Sequence, residues 1–179
     1  KMVSEWGKMG DADSILAILP IFHGFGLGVC VNACFMGGGK TILVPTFTPE
    51  TVAELVYKHK PSFVVGVPTL YDALSRNPKF CKADLSCLRG TFSGADTLPR
   101  TVKERFEGIV KKQGGTVQLL EGYGLTEAVT AIMSTPIDQY REGSIGIPYP
   151  DMLAKIVRSG TTEEAPCGEE GEICVSGPA

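Results

Sequence analysis

Apolar residues fall in short runs along the chain, and the spacing inside and between those runs predicts an alternation of strands and helices. Ser14–Ile21 (SILAILPI) is an apolar run of strand length. Gly24–Met36 then carries apolar residues on nearly every side, as a buried helix does. Lys40–Pro45 (KTILVP) reads as a second strand. Thr48-Pro49-Glu50 opens a helix through about Lys60, with Thr48 as N-cap and Pro49 at the first helical position, placing Val52, Leu55, Val56 and His59 on one face. Ser62–Val67 (SFVVGV) is a third strand, ended by Pro68 before a short helix through Leu74. Cys87–Phe92 is a fourth strand, and Leu98–Lys112 is a helix begun by Pro99, with Val102, Phe106, Ile109 and Val110 at helical spacing. Gly114-Gly115 closes it, and Thr116–Leu120 is a fifth strand.

This alternation implies right-handed crossovers and a mostly parallel sheet flanked by helices, an α/β fold. The pattern changes after about Thr135. Gly143–Pro150 is rich in glycine and proline, Met152–Val157 and Glu172–Val175 are short strand runs, and Gly160–Gly171 is an acidic loop. The expected organisation is an α/β layer over residues 1–135 and a β-rich, antiparallel segment over 136–179 that starts a barrel-like subdomain.

Composition narrows the function classes. The 179 residues are 43% apolar and 21% charged, enough for one sizeable core, and the net charge of −3 comes with no long basic run, which argues against nucleic acid as a partner. The six cysteines form no C-x-x-C pair and only two histidines are present, so no zinc set is visible. Cysteine usage points to a reduced, cytoplasmic compartment. No signal peptide or membrane span is seen, and peripheral membrane contact stays open. Gly37-Gly38-Gly39-Lys40-Thr41 looks like the end of a phosphate-binding loop, but the first glycine of that motif would fall on Cys34 and the context is helix-to-strand. It reads as a helix stop.

In a parallel sheet ligands bind beyond the carboxyl ends of the strands, and three loops there carry suitable chemistry. Phe22-His23-Gly24-Phe25-Gly26 follows the first strand, Ser93-Gly94-Ala95-Asp96 the fourth, and Gly122-Tyr123-Gly124-Leu125-Thr126-Glu127 the fifth. Small residues at 94, 95, 122 and 124 let a flat ring approach the backbone, Tyr123 is placed to stack on it, and the Thr126 hydroxyl suits a phosphate oxygen. Glu127 supplies a hard oxygen ligand of the kind Mg²⁺ combines with phosphate oxygens.

These residues suggest a family. LPIFHGFG (19–26), VGVPTLYDAL (65–74), FSGADTLP (92–99), LLEGYGLTEA (119–128), GSIGIPYP (143–150) and GEEGEICVSGP (168–178) stand in the order and at about the spacings of adenylate-forming enzymes. The chain resembles acyl-CoA synthetases, luciferases and peptide-synthetase adenylation domains over nearly its whole length, and FHGFG is most similar to a fatty-acid or aryl-acid CoA ligase. The resemblance implies that a carboxylic acid attacks the α-phosphate of Mg·ATP to give an acyl-adenylate, which coenzyme A then captures as a thioester.

Carried over by matching positions, the resemblance makes Thr126, Glu127 and His23 the catalytic residues. Thr126 would hold the α-phosphate, Glu127 the Mg²⁺, and His23 would gate the approach of the thiol. Tyr123 would pack on adenine, with Ser93, Gly94, Ala95, Asp96, Glu121, Gly122 and Gly124 around the nucleotide. His23, Phe25, Val67, Gly94, Gly124 and Ala131 would shape the acid pocket. Asp96-Thr97 departs from the small-residue-then-proline pattern of many relatives, which implies a side-chain acceptor for the adenine amine. The family's phosphate loop has no match in residues 1–18, and its ribose-binding Asp and adenylating Lys would lie beyond residue 179. The expectation is therefore a middle portion of the large N-terminal domain, without the phosphate loop and C-terminal domain, and inactive alone. The alternatives are an adenylation domain that loads a carrier protein and a non-catalytic nucleotide-binding module. A Rossmann dehydrogenase is disfavoured because no G-x-G-x-x-G follows the first strand.

Overall fold

The computed structural model describes residues 1–128 and 130–178. After a short helix α1 (Met2–Trp6), five strands run parallel: β1 (Ser14–Ala17), β2 (Lys40–Leu43), β3 (Phe63–Gly66), β4 (Gly90–Ser93) and β5 (Leu119–Tyr123). Two short antiparallel strands, β6 (Met133–Ser134) and β7 (Ile147–Pro148), extend the sheet to the order β2-β1-β3-β4-β5-β6-β7. β8 (Leu153–Val157) and β9 (Glu172–Ser176) form a separate antiparallel pair, as expected for the tail. The chain leaves β1 toward β2 and then returns across it to β3, so the topological switch lies between β1 and β3.

The crossovers are α2, a π-helix over Phe25–Ala33 that runs into one α-turn at Cys34–Met36, then α3 (Pro49–His59), α4 (Pro68–Arg76) and α5 (Arg100–Lys112). α3 begins as its sequence dictates: the Thr48 hydroxyl accepts from the Thr51 amide at 3.0 Å, Pro49 follows, and left-handed Lys60 ends it. His59 is exposed and does not share the buried face of Val52 and Val56. α2 also departs from expectation. It buries Val29, Cys30, Ala33 and Cys34 but leaves Leu27, Phe35 and Met36 exposed. Burial, with a smaller contribution from Cys34, pushes the Cys30 thiol up to about 12, so it packs as a small hydrophobe.

Strand residues alternate between two cores. Ile15, Ala17, Phe63 and Val65 face α2, while Leu16, Val64 and Leu119 face α3, α4 and α5. That is why these runs read as continuously apolar. A third cluster around Ile132, Met133, Tyr149 and Met152 receives Val3 and Trp6 from α1.

The strand boundaries differ from the sequence reading by one or two residues in several places and by three or more in β1, β4 and β5. β1 stops at Ala17, since Pro20 offers no amide to a ladder, and β4 starts only at Gly90 because Cys87 and Leu88 belong to a turn closed by Leu88 N to Leu85 O at 3.2 Å. β5 begins at Leu119 and runs through Tyr123, because only there does it find β4 on one side and β6 on the other. Before β6 begins, α5 covers the edge: Lys103 Nζ donates to Leu119 O at 2.6 Å and Leu119 N donates to Glu107 Oε1 at 2.8 Å. The glycines at 37–39 form the helix-to-strand turn, with Gly39 N donating back to Cys34 O at 3.0 Å to close the helix and Lys40 N donating to Asp13 O at 2.9 Å to start β2. Among the described residues no helix is long and apolar enough to cross a membrane.

At the amino end of the sheet the Asp13 side chain, 4% exposed, takes both oxygens to Arg89, whose side chain is 52% exposed. Burial opposes ionisation of Asp13, but hydrogen bonds from Arg89, Gly10 and Ser62 outweigh it and hold the carboxyl below its ordinary value. Its stabilisation is therefore complete above the ordinary aspartate range and is lost as pH falls through the lowered folded value. Asp13→Asn should cost about 1–2 kcal/mol at neutral pH, discounted for the half-exposed arginine, and should flatten the acid limb of a stability-versus-pH curve measured by urea unfolding.

Candidate functional site

The loops after β1, β4 and β5 meet, and main-chain contacts hold them there. Gly94 N donates to Gly66 O at 3.1 Å, tying the β4 loop to the end of β3. On α4 the buried Tyr71 hydroxyl lies 2.9 Å from Val64 O and 2.8 Å from Phe92 O, pinning the same two strands. Thr130, buried and at φ 93°, sits where the β1 and β5 loops converge: a Cβ on Gly24 would fall 2.0 Å from its Oγ1 and one on Gly124 would fall 1.2 Å from its carbonyl oxygen. At 124 the clash is with backbone, so only glycine allows the approach, whereas at 24 it is chiefly with the Thr130 hydroxyl.

Two hollows result, and they share a wall. The first is a cavity of about 260 Å³ between the α2-facing core and the Tyr149 cluster, walled by Val29, Phe63, Val65, Phe92 and Met133 among others. The second is a groove of about 540 Å³ bordered by Asp96, Arg100, Lys103, Glu121, Tyr140 and Glu142. Ala95, Gly122, Tyr123 and Gly124 line both. Ala95 takes the left-handed conformation, φ 68°, which turns the chain from β4 into that wall. One face of the partition is thus apolar and the other is charged and hydrogen-bonding.

The expected site residues distribute between the two. His23, Phe25, Gly94 and Ala131 line the cavity, with Ser93 and Thr126. Asp96 and Glu121 line the groove. His23 Nδ1 accepts from Phe25 N at 3.1 Å, which leaves the proton of the neutral ring on Nε2. Asp96 is exposed; its Oδ1 accepts from Thr97 N at 2.7 Å, and its other oxygen has no hydrogen-bond partner among the described residues. Thr126 and Glu127 are exposed on the single 3₁₀ turn Thr126–Ala128, and Glu127 borders neither hollow. Val67 does not line the cavity. It caps α4 and packs between the two sheet cores, because Pro68 turns the chain into the helix at once.

Sequence reasoning missed Trp6, Met133, Ser134 and Tyr149 in the cavity and Lys103 and Tyr140 in the groove. Trp6 arrives on α1, Met133 and Ser134 on one two-residue strand, and Tyr149 directly after another, all too short to leave a periodic signal. Lys103 lies on an amphipathic helix and is 8% exposed, with its ammonium 4.1 Å from the Tyr140 ring centre. No group of three or more His, Cys, Asp or Glu among the described residues could hold a metal by itself.

A family model described as "AMP-binding enzyme" matches residues 1–179. The chain is 39% identical over 168 residues to a long-chain-fatty-acid–CoA ligase of Bacillus subtilis, covering 93% of this chain and 29% of that protein. It is 37% identical over 171 residues to a protein named "Probable 4-coumarate–CoA ligase 3" from Dictyostelium discoideum, covering 93% and 30%. ATP-bound MatB from Rhodopseudomonas palustris superposes with a TM-score of 0.87 at 28% identity, covering 99% of this chain and 34% of that one. The chain therefore spans about 30% of the length of the curated relatives it matches.

Proposed function

The chain belongs to the AMP-binding enzyme family, and from that premise we propose that it carries the acid and adenine sites of an ATP-dependent acid:CoA ligase. The observation that supports this best is the shared wall: an apolar cavity and a polar groove separated only by Ala95, Gly122, Tyr123 and Gly124. An acid with an apolar tail and a nucleotide base, lodged on opposite faces of that wall, would bring their carboxylate and phosphate together at its rim, beside Thr126. The names of the relatives, a fatty-acid and a coumarate ligase, agree with an acid of apolar body. A fatty acid is our preferred substrate, and the cytoplasm our preferred location.

The residues fit the groups the reaction needs. The groove is bordered by Tyr123 and by the carboxylates of Asp96 and Glu121, a set that suits an aromatic ring with an exocyclic amine. Thr126 offers an exposed hydroxyl to the α-phosphate. With no protein cluster able to hold a metal alone, Mg²⁺ would be held by Glu127 together with phosphate oxygens, neutralising charge in the displacement. His23, exposed at the cavity mouth, would admit the thiol of coenzyme A on the cavity side.

The deciding experiment is a pyrophosphate-release screen of the full-length protein against acids of graded chain length, with and without CoA. Release that depends on acid and ATP, with thioester formed only when CoA is added, is the expected result; ATP binding without turnover of any acid would rule the reading out. Asp96→Ala should also raise the Kd for ATP about tenfold by calorimetry, the worth of one hydrogen bond to a charged group. An unchanged Kd removes Asp96 from adenine recognition.

A further inference from the structure

The polar groove has a buried cation in its wall. Lys103, one turn into α5, makes three contacts through its ammonium, each with a different element: the Glu107 carboxylate further along α5, Leu119 O on β5 at 2.6 Å, and the Tyr140 ring, 4.1 Å from its centre. An ammonium has three donors, so these contacts occupy it. Leu119 lies where β5 has no strand beside it, since pairing with β6 begins only at Gly122, and α5 completes that edge through Lys103 and Glu107. Tyr140 belongs to the connection between β6 and β7, which borders the groove opposite α5 with Glu142 and Ile145. Burial, then the carboxylates of Glu142, Glu107 and Glu121, hold the Tyr140 phenol above its ordinary value, so the ring stays neutral. A second tie from α5 to this connection, Arg100 to Glu142 at 3.3 Å, has both side chains in solvent and holds little. The shielded contact of Lys103 with the ring is the stronger one.

We propose that Lys103 is a positioning residue for the nucleotide: its ammonium fixes Tyr140, and with it the β6–β7 side of the groove, against the β5 wall of Glu121, Gly122 and Tyr123, so that ATP meets a groove already formed. This rests on the reading of the groove as the adenine site. A groove assembled in advance spares binding the ordering of the connection, and without the anchor that ordering weakens the affinity. The weakening falls on ATP and not on the acid, because Lys103 and Tyr140 border the groove and neither lines the cavity.

The test measures KM for ATP and for the acid by pyrophosphate release from the full-length protein, and Kd for ATP by calorimetry. Tyr140→Leu removes the aromatic face while leaving Lys103 on Glu107 and Leu119 O. It should raise KM and Kd for ATP about fivefold to tenfold, the scale of a shielded cation–π contact, without raising KM for the acid. Tyr140→Phe keeps the ring face and should lose less than Y140L. Lys103→Met keeps the stem and removes the charge; it also strips the Glu107 carboxylate of its partner, so Tm should fall as well. Adding Y140L to K103M should raise the Kd no further, since both act through one contact. If K103M does not fold, the Y140L and Y140F pair decides by itself. An ATP affinity unchanged in Y140L, KM rising equally for ATP and acid, Y140F as weak as Y140L, or additive effects in the double variant overturns the proposal while leaving the ligase reading intact. A wild-type protein that binds no ATP overturns the reading of the groove, and this inference with it.

Discussion

Gly124→Ala should unfold the rim of the site and abolish ATP binding, the largest effect expected of any single methyl group in this chain. A Cβ at position 124 would lie 1.2 Å from Thr130 O and 2.4 Å from Thr130 C, contacts with backbone that no rotamer change can relieve. Nor can Thr130 move aside freely. It is buried at φ 93°, a conformation rarely tolerated by a β-branched residue, and its amide is tied to Leu125 O at 2.8 Å. On its far side Gly24 already approaches its hydroxyl. The methyl therefore has to push apart the β1 and β5 loops, at a cost of about 3 kcal/mol or more. Thermal unfolding of G124A should show a lowered Tm, and calorimetry should show no ATP binding. Gly28→Ala is the control, since a Cβ there meets nothing within 4 Å. A G124A protein that melts and binds ATP like wild type would show that the two loops do not pack as described.

How much of this was legible beforehand depends on the range of the forces involved. The parallel sheet could be read because β1 and β3 bury both faces, leaving unbroken apolar runs, and because Thr48-Pro49 is a local capping signal whose partner is Thr51. The three loops could be read because a parallel sheet places them at one end. Pairing at a sheet edge could not. Met133-Ser134 and Ile147-Pro148 are strands only because β5 offers Gly122 and Tyr123 as partners, and their arrival shifts β5 itself to Tyr123. The division into two hollows was hidden for the same reason, since Trp6 and Tyr149 come together only through tertiary packing. Val67 shows the same limit: it caps α4 just after β3 and packs, half-buried, against both sheet cores, a placement that depends on tertiary neighbours the motif does not name.

The functional prediction of largest effect concerns Glu127. Its carboxylate is exposed on the turn beside Thr126, outside both hollows, where a group would stand to meet a metal held by phosphates rather than the base or the acid. Because no cluster among the described residues can hold a metal alone, removing one carboxylate charge should not be compensated by neighbours. Glu127→Gln preserves shape and removes that charge, so kcat/KM for acid-dependent pyrophosphate release should fall about a hundredfold to a thousandfold, the scale seen when one preorganised electrostatic contact is lost. The loss should be partly offset by raising Mg²⁺, and Glu127→Asp should retain more activity than E127Q. An exposed side chain contributes little packing, so E127Q should keep the wild-type Tm, which separates this outcome from the collapse expected of G124A. Pyrophosphate release within about threefold of wild type at limiting Mg²⁺, a difference smaller than one ordinary hydrogen bond supplies, would remove Glu127 from the metal site.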